Sequence, residues 1–331
     1  MKVYVKTPSR LHLGLLDLGG ELGRIFGGIG VAINYPNVIL EAQPSQSPTV
    51  EGEKSDAVEL LVERFLKKYQ IKAKVTVNVK QTIPEHVGLG SGTQLSLAVA
   101  LALAKLFHVK ASIRDLALVM GRRQISGVGT AVFEQGGFVV EGGLKTQKNK
   151  SRLPSPENFP PVIFHQSFPD DWLFVVGIPD VKRGLTDEEE ALAFRKLPPM
   201  PAQDVGKICR LTMMKLFPSL IEDDIENFGN ALTQIQNIVG GYFAEVQGGR
   251  YSNSIAKECT EHMLKLGAYS VGQSSWGPAF YGLVQGEKDA RKLQSYIKDF
   301  LDRRIGGKAF CAKAENRGAH IKLIKDYLFT S

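Results

Sequence analysis

Cysteine is scarce in this sequence. Only Cys209, Cys259 and Cys311 occur, widely spaced and with no Cys-x-x-Cys pair. That pattern fits neither a disulfide framework nor a thiolate zinc site, and it suits a reducing compartment. Long apolar runs are missing as well. The longest apolar-rich stretch, Leu95 to Phe107, is interrupted by Ser96 and Lys105. It falls short of the roughly 18 residues that a bilayer-spanning helix needs. The stretch from Met1 to Gly20 alternates like a strand and lacks the charged head and apolar middle of a signal peptide. Nor is there a large excess of one charge. The 41 Lys and Arg against 34 Asp and Glu leave a net +7, scattered instead of gathered into the stripe of a nucleic-acid binder. The expectation is a soluble cytoplasmic protein with no nucleic-acid and no membrane partner. Mild basicity suits a phosphorylated substrate, and a solvated basic surface explains it equally well.

What is present is ordinary globular composition, 43% hydrophobic and 23% charged over 331 residues, enough for two domains. Apolar alternation predicts strands at 3–5, 11–15, 38–42 and 73–79. A helix is predicted over 57–69 with Asp56 as its cap, another over 93–107 that is apolar nearly all round and therefore buried, and a third over 112–123. Residues 131–144 read as two short β-like runs around Gly136-Gly137, and 44–52 and 145–161 as linkers. Beyond a buried strand at 172–178, helices are expected at 186–196, 203–217, 221–240, 253–266 and 287–301. Strands are expected at 268–271, 279–284 and 308–312. Met213-Met214 reads as core, and Glu188-Glu189-Glu190 as acids favoured at a helix start. No regular βαβ alternation appears, so the fold class is α+β in two domains, 1–170 and 171–331.

Three segments carry chemistry. Gly88-Leu89-Gly90-Ser91-Gly92-Thr93-Gln94 feeds the buried helix. Glycine-rich backbone at a helix N-terminus makes an anion site, to which Ser91 and Thr93 add hydroxyls. It is neither a P-loop nor a dinucleotide fingerprint, and a purely structural turn explains the spacing equally well. Pro8-Ser9-Arg10-Leu11-His12 lies on the early strand, with Arg10 and His12 on one face. Gly272-Gln273-Ser274-Ser275-Trp276-Gly277-Pro278 lies between two strands. A further run, with glycine at 19, 20, 23, 27, 28 and 30, reads as a second loop suited to close approach by a ligand.

Taken in this order, the three segments resemble the signatures of the GHMP superfamily, the group of galactokinase, homoserine kinase and mevalonate kinase. The resemblance covers nearly the whole chain. It implies a ribosomal-S5-like N-terminal domain and a ferredoxin-like C-terminal domain, with the ligand between them. Where many of those kinases carry Ser-Gly-x-Asp with a candidate base, this sequence has Ser126-Gly127-Val128-Gly129-Thr130. That segment, together with 88–94, Phe133-Glu134-Gln135-Gly136-Gly137-Phe138, 178–185 and 272–278, resembles the β-ribofuranosylaminobenzene 5′-phosphate synthase family. That family is a non-kinase branch belonging to methanopterin biosynthesis.

This resemblance implies condensation of 4-aminobenzoate with phosphoribosyl pyrophosphate, releasing CO2 and pyrophosphate. It also implies Mg2+ dependence and a homodimer. The residues fit such chemistry. The glycine loops, Gly28, Gly88, Gly90 and Gly92 among them, supply backbone donors, joined by Gln94, Ser126, Gly127, Thr130, Ser274 and Ser275. Arg10, Arg24, Arg122, Arg123, Lys182 and Arg183 supply positive charge for phosphate. Asp17, Glu134 and Asp180 are the carboxylates for facing a cationic sugar or holding Mg2+, and the sequence does not rank them or identify a metal ligand. His12 reads as a substrate hydrogen-bonder or a structural histidine, and Trp276 as a stacking platform or a packing residue. The other readings are an ATP-dependent small-molecule kinase and a ligand-binding protein without chemistry. Fold alone does not choose among them.

Overall fold

The structure is a computed structural model that describes residues 1–122, 125–146 and 159–324. Arg123 and most of the 145–161 linker lie outside the described residues. Among the described residues there are three sheets, and the expected α+β class holds. In the first, His320–Ile324, Lys2–Lys6, Ile39–Pro44, Val75–Gln81 and Thr49–Gly52 lie side by side in that order. Val3, Val5, Leu40, Ala42, Val75, Val77 and Val79 turn one face inward, as period-2 alternation requires. Helix Ser91–Leu106 packs beneath this face. Every residue from Gln94 to Ala104 is buried, because Leu, Ala and Val occupy nearly the whole circumference.

The second sheet runs Ser9–Asp17, Arg24–Ile33, Phe138–Glu141, Val162–Gln166, with Leu144–Lys145 paired to the start of Arg24–Ile33. The third is antiparallel, in the order Ser270–Gln273, Phe280–Gln285, Trp172–Pro179, Gly307–Ala312. Numbered along the chain its strands lie 2-3-1-4, and helices fill the first and third connections, which is the ferredoxin-like β-α-β-β-α-β arrangement. Helices Ser254–Lys265 and Glu287–Arg304 cover it through Cys259, Met263, Leu293, Ile297 and Leu301.

The structure departs from the sequence expectations in several places. No glycine of the 19–30 run lines the cavity described below. Arg24–Ile33 is a strand paired with Ser9–Asp17. Its glycines make room for Val128, since a Cβ on Gly28 would stand 2.5 Å from Val128 Cγ2 and one on Gly30 would overlap Val128 Cγ1. The first β-like run after Thr130 belongs to a helix, Val128–Gln135, with Val128, Ala131, Val132 and Phe133 buried. Tertiary packing overrides β propensity there. Part of the 44–52 linker, Thr49–Gly52, is a strand parallel to Val75–Gln81. Asp56 sits inside helix Ser55–Lys68 instead of capping it, whereas Ser112 does cap its helix through the Asp115 N–H. A π-helical turn, Thr212–Leu216, interrupts the helical register and leaves Met213 and Met214 exposed, not in the core. The C-terminal strand His320–Ile324 returns to pair with Lys2–Lys6, so a division at 170 separates paired strands of one sheet.

Candidate active site

The three signature segments meet. The Arg10 N–H donates to Leu89 O at 3.1 Å and Arg10 Nη1 to Gly88 O at 2.6 Å. Ser274 Oγ accepts from the His12 N–H at 2.9 Å and donates to Gly88 O at 2.6 Å. One serine thereby ties the early strand, the glycine loop and the late loop together. Ser274 is fully buried and works as that tie, away from the cavity surface. Beside it opens a cavity of about 330 Å3.

One part of the cavity suits anions. Gly90, Ser91, Gly92 and Thr93 line it at the start of helix Ser91–Leu106. No side chain caps this helix, so its first N–H groups and the positive end of its dipole serve the cavity. Gly90 is required at the cap. Its φ is 77°, and a Cβ there would press on Arg10 Cγ at 2.8 Å. Burial pushes the Arg10 guanidinium down to about 10, against the attraction of Glu190, so it stays cationic at neutral pH. Arg122 lies across the first turn of the helix, its Nη2 2.7 Å from where a Gly92 Cβ would stand.

The cavity also has an aromatic wall. Trp276 meets Phe243 at 4.6 Å and Phe194 at 5.7 Å between ring centroids, and all three line it. Trp276 Nε1 donates to Glu190 Oε1 at 2.9 Å. Trp276 therefore packs against both rings while still lining the cavity, at 9% exposure. Gln236, Gln247 and Arg250 add polar groups.

A buried chain leads inward from the cavity. His12 and Ser126 both line it, with His12 Nε2 3.1 Å from Ser126 Oγ. Ser126 in turn hydrogen-bonds Glu141. Glu141 has no exposure and accepts from the Gly143 N–H at 2.6 Å and the Gly127 N–H at 3.2 Å. Burial raises its pKa to about 7, partly offset by these donors. Burial, reinforced by Arg10, holds His12 down at about 3 and hence neutral.

Of the residues singled out from sequence, Arg10, His12, Gly88, Gly90, Ser91, Gly92, Thr93, Ser126, Thr130, Ser275 and Trp276 line the cavity. The three carboxylates do not. Asp17 Oδ1 accepts from the Gly19 and Gly20 N–H groups at 2.7 and 2.8 Å, closing a turn. Glu134 is exposed near the end of helix Val128–Gln135. Asp180 is exposed beside Gly306. Arg24 also lies outside the lining, binding the carbonyls of Gly142 and Gly143 at 2.6 Å each. Lys182 and Arg183 point to solvent, because the Gly184 N–H bonds His86 O and brings Gly184 and Leu185 to the cavity instead. Gln94 is buried and donates to Gly129 O at 2.8 Å. Gly28 and Gly127 are backbone neighbours of Glu141.

Sequence reasoning missed Glu141, Phe194, Phe243, Gln236 and Arg250. It also read Glu190 only as a helix-start acid. The one signal for Glu141 was an acid ending the apolar run Phe138-Val139-Val140. Among the described residues, no group of three or more His, Cys, Asp or Glu side chains is placed to hold a metal ion.

Residues 56–141 match the GHMP kinases N terminal domain and residues 216–303 the GHMP kinases C terminal domain. Similar solved structures include homoserine kinase from Cytophaga hutchinsonii, with a TM-score of 0.67 at 16% identity, covering 97% of each chain. Mevalonate diphosphate decarboxylase from Staphylococcus aureus gives a TM-score of 0.65 at 12% identity, covering 97% of this chain and 98% of the other. At such identity these likenesses show the fold alone. Among curated relatives, the beta-ribofuranosylphenol 5'-phosphate synthase of Archaeoglobus fulgidus is 36% identical over 96% of this chain and 99% of its own. The protein of that name from Methanothermobacter thermautotrophicus is 35% identical over 86% and 89%. With that likeness running through both GHMP domains, the chain belongs to the β-ribofuranosylphenol 5′-phosphate synthase family, a branch of the GHMP superfamily.

Proposed function

We propose that the protein is a decarboxylating ribosyltransferase that joins phosphoribosyl pyrophosphate to a para-substituted benzoate and releases CO2 and pyrophosphate. The observation that carries this reading is one cavity shared by an uncapped helix N-terminus with Arg10 and Arg122 and by the wall of Trp276, Phe194 and Phe243. The first set suits phosphate groups, and the second suits an aromatic ring. The relatives' name supports it, since a ribosylated phenol arises when the acceptor is 4-hydroxybenzoate. With 4-aminobenzoate the product is the corresponding aniline.

Diphosphate departure leaves a cationic sugar carbon. The ring carbon bearing the carboxylate attacks it, and loss of CO2 restores aromaticity. The first turn of helix Ser91–Leu106 and the two arginines hold phosphate charge. The aromatic wall orients the ring, and orientation contributes much of the rate. No carboxylate stands where kinase relatives place a base, for that position is Gly129-Thr130. The carboxylates lining the cavity are Glu85 and Glu190. Glu85 pairs with Lys54 at 2.7 Å, and Glu190 holds Trp276. They do not form a Mg2+ cage, so a Mg2+ requirement would reside in ligands from the substrate diphosphate.

The deciding experiment supplies phosphoribosyl pyrophosphate, Mg2+ and carboxyl-labelled 4-hydroxybenzoate or 4-aminobenzoate in separate tubes, with ATP and no phosphoribosyl donor in a third. Labelled CO2 from either acid supports the reading. ATP consumption without CO2 release would replace it with a kinase.

A further inference from the structure

We propose that Glu141, Ser126 and His12 form a proton chain that takes the hydroxyl proton of a 4-hydroxybenzoate-type acceptor and returns it once CO2 has left. This rests on the ribosyltransferase reading and adds the acceptor chemistry it leaves open. His12 is the member that meets the acceptor; Ser126 and Glu141 act through it.

The proposed chain has a direction. Ser126 Oγ accepts from the Val128 N–H at 3.2 Å and lies 3.1 Å from His12 Nε2. A serine hydroxyl has one hydrogen, and a bond from it to the Glu141 carboxylate lowers the Glu141 pKa, so with that hydrogen on Glu141 the Oγ accepts from His12. In this tautomer His12 carries its proton on Nε2. Its Nδ1 has no protein partner among the described residues, and the side chain lines the cavity. Gly28 lets the chain close. A Cβ there would stand 2.6 Å from Ser126 Oγ and 2.9 Å from Glu141 Oε1. The groups around Glu141 are the N–H groups of Gly28, Gly127 and Gly143 and the Ser126 hydroxyl. Arg10 faces His12.

Such a chain has a use for one acceptor class and not the other. An amino group pushes its lone pair into the ring without a base. A hydroxyl does so strongly only as it loses its proton. In the proposed step the acceptor's O–H proton passes to His12 Nδ1 as the Nε2 proton moves to Ser126 and the Ser126 proton to Glu141. His12 ends neutral, with its proton on the other nitrogen. The negative charge moves from Glu141 to the acceptor oxygen. The ring carbon bearing the carboxylate then bonds to the cationic ribose carbon that diphosphate has left. Next the bond to the carboxylate breaks, and its electron pair returns to the ring. The phenoxide recovers the proton along the same chain, so no proton is consumed overall.

The test follows CO2 from wild type, Glu141→Gln and Ser126→Ala with two acceptors, 4-hydroxybenzoate and 2,3,5,6-tetrafluoro-4-hydroxybenzoate. The fluorinated hydroxyl is already ionised at neutral pH. With 4-hydroxybenzoate, kcat of the variants is expected to fall on the order of 10²-fold, the scale of a lost general base. With the fluorinated acid the loss is expected to be about tenfold smaller. Wild-type kcat should rise with pH through the ionisation of Glu141 on the first acceptor and not on the second. Where a variant fails to fold, these two wild-type profiles decide. Equal losses, or identical pH profiles, on the two acceptors would overturn the chain. If wild type releases no CO2 from any benzoate, the ribosyltransferase reading falls and takes the chain with it.

Discussion

His12 Nε2 lies 3.1 Å from Ser126 Oγ, and that contact joins the early strand to the Ser-Gly-x-Gly-Thr segment in the cavity wall. Behind the pair stands Glu141, fully buried. Two titratable groups with opposite displacements, His12 down and Glu141 up, thus share one hydroxyl.

The pH dependence of stability follows from that arrangement. Glu141 is raised from 4.5 to about 7, so its contribution is present below pH 4.5 and is lost as pH rises through 7, on the order of 3 kcal/mol. His12 is lowered from 6.5 to about 3, so its contribution is present above 6.5 and is lost as pH falls through 3. Between pH 4.5 and 6.5 the two oppose each other. Urea denaturation of Glu141→Gln should show a steeper fall in stability than wild type as pH drops through that window. His12→Gln should show a steeper fall as pH rises through it. Parallel curves for all three proteins would contradict the burial of these groups.

Arg10 grips the glycine loop through Gly88 O and lines the cavity beside the uncapped helix start, where the proposed reaction places phosphate. Arg10→Ala is expected to lower kcat/KM for phosphoribosyl pyrophosphate by about 10- to 100-fold, as loss of a charge-assisted contact of about 1.5–3 kcal/mol implies. Steady-state kinetics on protein verified as folded by circular dichroism makes the check. An unchanged kcat/KM removes Arg10 from the site.

Gly90 sits at φ 77° with Arg10 Cγ over it. Gly90→Ala should cost about 1–2 kcal/mol of stability for the left-handed conformation. It should also weaken phosphate binding by displacing Arg10. Calorimetry of ligand binding alongside thermal melting reads both, and a variant as stable and as tight-binding as wild type would refute the account of this cap.

Trp276 lines the cavity beside Phe194 and Phe243, where the proposed reaction places the benzoate ring. Trp276→Leu keeps an apolar side chain but loses the π surface and part of the volume, so KM for the benzoate should rise about 3- to 10-fold, the scale of an aromatic pair. KM for phosphoribosyl pyrophosphate should move less. Equal changes in both would assign Trp276 to packing alone.

In the proposed reaction the leaving carboxylate sets a selectivity. Aniline lacks that carboxylate, so its attack from the open para carbon must shed a proton from carbon. It also forfeits any charged contact, worth about 1.5–3 kcal/mol. 4-Aminobenzoate should therefore exceed aniline by at least about tenfold in kcat/KM. Comparable turnover of the two would dismiss decarboxylation as the driving step.

The sequence alone determined the elements whose signal is local. The Leu95–Ala104 run is buried because its apolar residues cover every side of a helix. Ser112 caps because its hydroxyl reaches an N–H three residues on. The glycine loop at Gly88–Gly92 leading into an uncapped helix start was legible because glycine spacing and the following apolar run are local signals. Only the tertiary structure decided the rest. Glycines that permit a ligand's approach read the same in sequence as glycines that admit Val128, and at 28 and 30 the occupant is Val128. Asp17, Glu134 and Asp180 read like any other carboxylate, and their placement outside the cavity depends on strand pairing and loop direction. Glu141 ends an apolar strand like many surface acids. Its burial, and its access to the cavity through Ser126 and His12, exist only once residues from 12 to 143 are folded together, because desolvation and hydrogen bonding are properties of neighbours in space.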